Sequence, residues 1–379
     1  MCLLAHGQSP SKARQTEIPS LEVLTPPDSI IERHRWFHTA RVCLKSVDGD
    51  TVLCADSVSI RGRGNSTWSK RKKPYVFRLG HKRSIIGMAP HCEWVLLANV
   101  MDHSLMRNDL AFEIARQTSL DWTPQGRFIR LSHNGKYSGL YYLCESVDIS
   151  SSRLNGDSCA VLIKFDSYEP HGIKITLSDG SHPHNWVDVV RPRSLKLDTL
   201  SLVDWIITNE LTMNAEPFGP RSCYMHVSHQ GVLKAGPVWD FDLAFNNVGI
   251  SPDNNLRPYR FRGHMDSVKW LDTQSSFCLD SPYLNNLKRL GFAMPTTSEL
   301  RSLIAVRWQQ LRPKMYGLLP YLDQMARLIN APAIEDQALW HDADPARFDS
   351  SVDHSESVEA LRNTFVSRLE YMDRLCRHQ

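Results

Sequence analysis

The spacing of apolar residues changes character along this chain, and that change limits the folds open to it. From Leu21 to about Asp148 the apolar residues alternate or come in short runs between turn signals, as in β-strands. Those runs are Leu21 to Leu24, Ala40 to Leu44, Val52 to Ile60, Tyr75 to Leu79, Trp94 to Leu97, Phe128 to Leu131 and Leu140 to Leu143. The Asn134-Gly135 pair between the last two predicts a tight hairpin, because both residues tolerate the left-handed backbone of a two-residue turn. One helix interrupts this region near Ser104, with Leu105, Leu110, Phe112 and Ile114 among the helix formers Ala111 and Ala115.

Beyond Asp148 the period lengthens. Short strands are expected at Val161 to Phe165 and Ile173 to Leu177, then a loop holding His182, Pro183 and His184. From about Asp198, Leu200, Val203, Ile206, Ile207 and Leu211 follow helical spacing. A strand pair, Cys223 to Val227 and Val232 to Val238, turns at Gln230-Gly231. From about Tyr283 the chain reads as helical, with a capping box at Thr296 and Glu299 and an apolar stripe of Val358, Leu361, Phe365, Leu369 and Met372. The expected organisation is a polar tail or signal-peptide remnant over residues 1–20, a β-rich lobe over 21–148 and a mostly helical lobe over 149–379 that contains a β-hairpin. A cleft between two such lobes is a usual place for a ligand.

Composition excludes more than it identifies. With 44 Lys+Arg against 41 Asp+Glu, the formal charge of +3 over 379 residues gives no electrostatic reason to expect nucleic acid as the main partner. No run of 18 apolar residues is present, so no transmembrane segment is expected. The start of the chain lacks the charged and apolar regions of a full signal peptide. The nine cysteines are scattered without a C-x-x-C pair and read mostly as buried free thiols, which mildly favours a reducing compartment. His81, His91, His103, His133, His171, His182, His184, His226 and His229 show no i, i+4 pair backed by a carboxylate at zinc-binding spacing.

Three stretches carry chemistry. The first, Ile60 to Trp68, places Gly62 and Gly64 among Arg61, Arg63, Asn65 and Ser66, followed by Lys70 to Lys73. It reads either as a phosphate cradle of backbone amides and cations or as a tight turn with solvated charges. The second, Trp239 to Phe245, presents Asp240 and Asp242 directly after a strand, as oxygen ligands for a divalent cation or as turn and capping residues. The third, Asn209 to Tyr224, runs from a helix end through Glu216 into a strand that the Asp240 segment follows in antiparallel fashion. Either Glu216 is a plain loop carboxylate, or the pair takes the places of the two central carboxylates in kinase-like folds, one near the acceptor hydroxyl and one, Asp240, on metal.

Together these residues resemble a known family. IRGRGNSTW with KKPY, IIGM, WVLLANVMDHSLMRNDLAFEIAR, NGKYSGLYYLCESVD, NELTMNAEPFGPRSCYMHV and KAGPVWDFDLAF are similar, in that order, to motifs of the CotH family, named for spore coat protein H. The likeness covers about Leu21 to Asn247. It implies an α+β, bilobal, atypical protein-kinase-like fold that binds ATP and Mg²⁺ and phosphorylates Ser or Thr of a protein substrate. Some relatives act on coat proteins, while others on fungal surfaces are described as invasion proteins. By this resemblance Asp240 is the metal-binding aspartate and Asp242 its assistant. Lys73 is the phosphate-binding lysine, with Glu113 as its ion-pair partner or, by helical spacing with Asp109 and Arg116, as a surface residue. Arg61, Arg63, Asn65 and Ser66 line the phosphate-facing loop, and Glu145 lies where an inter-lobe linker would meet adenine. The chain departs from the pattern at Glu216, where the family usually shows Asp, and at Asn246, where it often has Gly. The longer carboxylate leaves open a second reading, a surface or structural binding protein that keeps the fold without turnover. The family suggests an extracellular or envelope location, whereas the thiols and the start of the chain point the other way.

Overall fold

The structure, a computed structural model, describes residues 15–156, 158–169, 172–183, 195–218, 221–247, 279, 282–289, 291–340 and 353–377. Cys2, Cys278, His171, His184 and most of the expected polar tail lie outside them. The architecture is mixed α+β, with a β-rich N-terminal region and helices gathered toward the C-terminus.

Seven strands close into a barrel: β1 (Ser20–Leu24), β2 (Phe37–Lys45), β3 (Thr51–Gly62), β4 (Tyr75–Arg83), β5 (His91–Leu97), β6 (Gly126–His133) and β7 (Lys136–Glu145). Their order around the barrel is β1-β2-β3-β4-β5-β7-β6, closed by a parallel pairing of β1 with β6. Closure leaves no open sheet edge among these strands. The β6–β7 hairpin turns at Asn134 and Gly135, with φ of 50° and 76°, as their side chains allow.

The apolar pattern follows from which faces are covered. Leu21, Val42, Ile60, Phe77, Trp94 and Tyr141 fill the barrel interior. On β5 and β7 the neighbouring residues Val95, Leu140, Tyr142 and Cys144 are buried too, in a second core outside the barrel. A strand buried on both faces reads as a continuous apolar run, which is why Trp94 to Leu97 and Leu140 to Cys144 do not alternate.

That second core is built by α1 (Arg107–Arg116), a five-stranded sheet and the later helices. The sheet comprises β8 (Cys159–Phe165), β9 (Ile173–Leu177), β10 (Lys196–Leu197), β11 (Cys223–Ser228) and β12 (Val232–Ala235), in the order β10-β12-β11-β8-β9. The helices are α2 (Thr199–Thr212), α3 (Pro282–Arg289), α4 (Thr297–Tyr316), α5 (Leu319–Trp340) and α6 (His354–Leu375). Helix α1 begins three residues later than Ser104. Asp102 first collects the N–H groups of Ser104 and Arg107 at 3.0 and 2.9 Å, along with the Ser104 hydroxyl and the Arg107 guanidinium, and so caps the helix from the preceding turn. Strand β12 stops at Ala235, short of Val238, where Gly236 takes a left-handed φ of 92° and Pro237 has no N–H for a ladder.

Helix α5 fastens the barrel to the helical region. Asp336 accepts from Lys72 Nζ at 2.6 Å and from the Leu140 N–H at 2.8 Å, and Trp340 donates to the Ser138 carbonyl at 3.1 Å. Gly139 leaves space for the Asp336 carboxylate that a Cβ would fill.

The cysteine reading requires correction. Cys43 and Cys54 are register partners on β2 and β3 and form a disulfide, with Cα atoms 4.2 Å apart. Strand register creates this pair, and spacing along the sequence does not reveal it. Cys144, Cys159, Cys223 and Cys376 are buried free thiols, and Cys92 is half-buried.

Candidate active site

A cleft of about 370 Å³ opens where the barrel meets the second sheet. One wall comes from the barrel: Arg61 at the end of β3, then Arg63, Gly64, Asn65 and Ser66 of the β3–β4 loop. The floor is Leu97, Ala98 and Asn99 after β5, with Asn108 of α1. Facing them are Lys164 and Asp166 at the end of β8, Glu216 after α2, Ser222 and Tyr224 at the start of β11, and Trp239, Asp240 and Asp242 after β12. Residues far apart in sequence therefore meet in one place, with guanidinium groups on one side and carboxylates on the other.

The barrel wall is only partly the cradle that its sequence suggests. The N–H groups of Gly62 and Arg63 already donate to the carbonyls of Glu32 and Pro74, at 2.8 and 3.1 Å. Gly62 is required because the Trp68 ring lies where a Cβ would project, and Gly64 because its φ is 84°. Anion contact on this side therefore falls to side chains and to the residues beyond Arg63. The Arg61 guanidinium lies over the Trp36 ring at 4.8 Å and donates to the Arg33 carbonyl at 3.2 Å. Arg63 crosses toward the opposite wall and stacks on the Trp239 ring, 5.4 Å from its centroid.

The acidic wall is held by its local backbone. Asp240 has a φ of 70° and Ser222 a φ of 50°, both in the region an L-residue enters at a cost of about 1–3 kcal/mol. The Ser222 hydroxyl donates to Asp240 Oδ2 at 3.0 Å. Asn246 has a φ of 63°, a conformation that Asn tolerates well, so its place in a Gly position keeps the loop intact. Glu216 opens a short 3₁₀ turn, is buried, and pairs with Arg221 Nε at 3.2 Å. Its pKa stands well above the ordinary range because of burial and, next, the charge of Asp240; Arg221 and Lys164 oppose the shift. Asp242 is raised likewise by burial and by its hydrogen bond and charge contact with Asp240. Lys164 pairs with Asp166 at 2.6 Å, and its pKa is raised despite burial by the charges of Tyr224 and Asp166.

This donor set fits a hard cation. Asp240 and Asp242 offer oxygen ligands whose mutual repulsion a cation would relieve. Beside them the buried Oδ1 of Asn247 has no donor, while its Nδ2 is fixed on the Met101 and Asp242 carbonyls at 2.7 and 2.5 Å. Among the described residues no group of three or more His, Cys, Asp and Glu side chains forms a metal site by itself.

Three expected residues lie elsewhere. Lys73 donates to the Trp68 carbonyl at 2.6 Å with its ammonium 5.0 Å from the Trp68 ring centroid, away from the cleft wall. Glu113 pairs with Arg116 at 2.7 Å and with Gln117, the surface arrangement that helical spacing allowed. Glu145 is fully buried, accepting from Arg153 at 2.9 Å and from the Gln125 N–H at 3.0 Å. Sequence reasoning missed Asn99, Asn108, Lys164, Asp166, Arg221 and Ser222. Arg221 and Ser222 stand inside the stretch around Glu216, and Asn99 and Asn108 inside the motif from Trp94 to Arg116, whereas Lys164 and Asp166 stand in none.

A polyanion entering this cleft would meet Arg61 and Arg63 on one side and Arg221 and Lys164, paired with carboxylates, on the other, an arrangement suited to handling phosphates. A family model described as CotH kinase protein matches residues 60–187 and 194–372, and the chain belongs to that family. Membership points to a kinase-like function. No curated protein matches the chain.

Proposed function

We propose that this protein is an atypical protein-kinase-like phosphotransferase that moves the γ-phosphoryl group of ATP to a Ser or Thr hydroxyl of a protein substrate. In this reading residues 21–148 form the N-terminal lobe and 149–379 the C-terminal lobe of a bilobal fold, with the nucleotide between them. The observation that carries it is the facing of Arg61, Arg63, Asn65 and Ser66 against Glu216, Asp240 and Asp242 across one cleft. Asp240 and Asp242 would hold Mg²⁺, which when bound neutralises charge on the phosphate oxygens. Arg63, stacked on Trp239, is placed to meet phosphate oxygens from the barrel side.

Glu216 takes the acceptor's proton as the hydroxyl oxygen bonds to the γ-phosphorus and the bond to the bridging oxygen of ADP breaks. A carboxylate whose proton affinity is raised by burial suits a general base near neutral pH. The cations of Arg221 and Lys164 favour its ionised form. One observation favours the second reading, a binding protein without turnover: Arg221 already occupies Glu216.

Radiolabel transfer from ATP to a Ser-rich acceptor, with and without Mg²⁺, separates the two. Wild type should transfer label only with Mg²⁺, and Asp240→Asn, which tolerates the left-handed backbone, should fold normally and lose at least about a hundredfold in rate. Equal activity of the two proteins sinks the kinase reading. A nucleotide-dependent rise in melting temperature without any transfer supports the binding protein.

A further inference from the structure

The peptide that joins the two cleft carboxylates has its own holder. The N–H of Phe241, between Asp240 and Asp242, donates to Oδ1 of Asn108 at 2.8 Å. Asn108 belongs to the first turn of α1, is 3 % exposed, and lines the cleft floor. Its orientation is settled by chemistry, since an N–H only donates and must face the amide oxygen. The other end of the amide, Nδ2, donates to Asn99 Oδ1 at 3.2 Å, and Asn99 Nδ2 donates in turn to the Leu105 carbonyl at 2.8 Å. The Phe241 ring packs edge-on against Phe112 of the same helix, with centroids 6.0 Å apart. Helix α1 thus grips this peptide by its N–H and by its side chain.

Asp240 needs such a grip. Its φ of 70° is unfavourable for an L-residue and persists only where the surroundings over-determine it. Ser222 restrains the Asp240 carboxylate from one side, and Asn247 restrains the Asp242 carbonyl from the other. Asn108 acts between them, on the peptide that sets how the two side chains project. Without its oxygen the Phe241 N–H would be a buried donor with no partner, and the peptide would turn to find one.

We propose that Asn108 is a positioning residue for the cleft's cation site, presenting Asp240 and Asp242 together and tying them through Asn99 to the cleft floor. The inference rests on the reading of Asp240 and Asp242 as cation ligands. Its consequence is that cation affinity depends on an uncharged side chain acting through the Phe241 peptide.

The test is calorimetric titration of Mg²⁺ into the full chain saturated with a non-hydrolysable ATP analogue, alongside thermal unfolding without ligand. Asn108→Ala should bind Mg²⁺ about tenfold more weakly, the effect of losing one buried hydrogen bond, while unfolding within a few degrees of wild type. Asn108→Asp keeps an acceptor for the Phe241 N–H but loses the donor to Asn99, and should bind more tightly than Asn108→Ala. If Asn108→Ala does not fold, Asn99→Ala decides, with binding about threefold weaker expected because Asn108 loses its own restraint. Wild-type affinity in the alanine variants, or Asn108→Asp as weak as Asn108→Ala, overturns the positioning role and leaves the cation site standing. Absence of Mg²⁺ binding in wild type overturns both.

Discussion

At the scale of single residues, Glu216 is where the departure from the family's motif and the geometry of the cleft meet. One extra methylene does not remove the carboxylate from the site. It lines the same cleft as Asp240, buried and paired with Arg221. Its folded-state pKa is raised, by burial first and by Asp240 second. A raised pKa means that the proton stabilises the native state, an effect complete below the unfolded pKa and lost as pH rises through the folded one. In cation-free buffer, therefore, Glu216→Gln should melt with wild type near about pH 4 and above it by about 2 °C or more near about pH 8. A variant that melts below wild type at the higher pH would show that the Arg221 ion pair outweighs burial and Asp240. In the transfer assay the same variant should be strongly impaired, since an amide takes up no proton.

At the scale of elements, the β2–β3 hairpin is cross-linked where the sequence suggested scattered thiols. The Cys43–Cys54 bond closes a segment with a sequence separation of 11, which in the chain-entropy view is worth about 2–3 kcal/mol. Chemical unfolding of the Cys43→Ser/Cys54→Ser protein should show a loss of about 2 kcal/mol. A reductant should produce a similar loss in wild type and none in the double variant; an equal response in both would place the effect elsewhere. Among the described residues, the buried thiols of Cys144, Cys159, Cys223 and Cys376 should be inert in the native state. Burial pushes Cys144 up to about 12 and Cys159 to about 11, so among the described free cysteines Cys92 is the one expected to react with a thiol reagent. The disulfide also removes the argument from free thiols for a reducing compartment. Helix α4, by contrast, starts where the sequence says, with Thr296 and Glu299 each accepting from the other's backbone N–H, at 3.2 and 2.7 Å.

Over the whole molecule, the cleft exists because the barrel and the helical region are fastened behind it. The Lys72–Asp336 pair is the most buried part of that fastening, with side chains 1 % and 8 % exposed. It springs from the same β3–β4 loop that supplies Arg63 and Ser66 to the cleft. Burial lowers the lysine's pKa and raises the aspartate's, so each needs the other to keep its charge. Removing one partner should cost about 3–5 kcal/mol, whereas replacing both by apolar residues of similar size should recover most of it. Denaturant unfolding of Lys72→Met, Asp336→Leu and the double variant measures this. Single losses below about 1 kcal/mol would mean that water compensates the pair.

The sequence alone determined the local elements and marked the candidate residues of the site. Hydrophobic period, the Asn134-Gly135 turn and the capping box act over a few residues, and Asp240, Asp242 and Glu216 announce themselves by type and by motif. The tertiary structure decided what depends on partners distant in the chain. It closed the strands into a barrel, paired Cys43 with Cys54, turned Lys73 and Glu113 away from the cleft, and buried Glu145 with Arg153. It also brought Asn108 to the N–H of Phe241, 133 residues away. Local signals arise from backbone preference and burial of one face, which neighbouring residues supply. Register, ion pairing and the acceptor for a buried N–H are settled only when remote segments meet, because each polar group must then find its partner there.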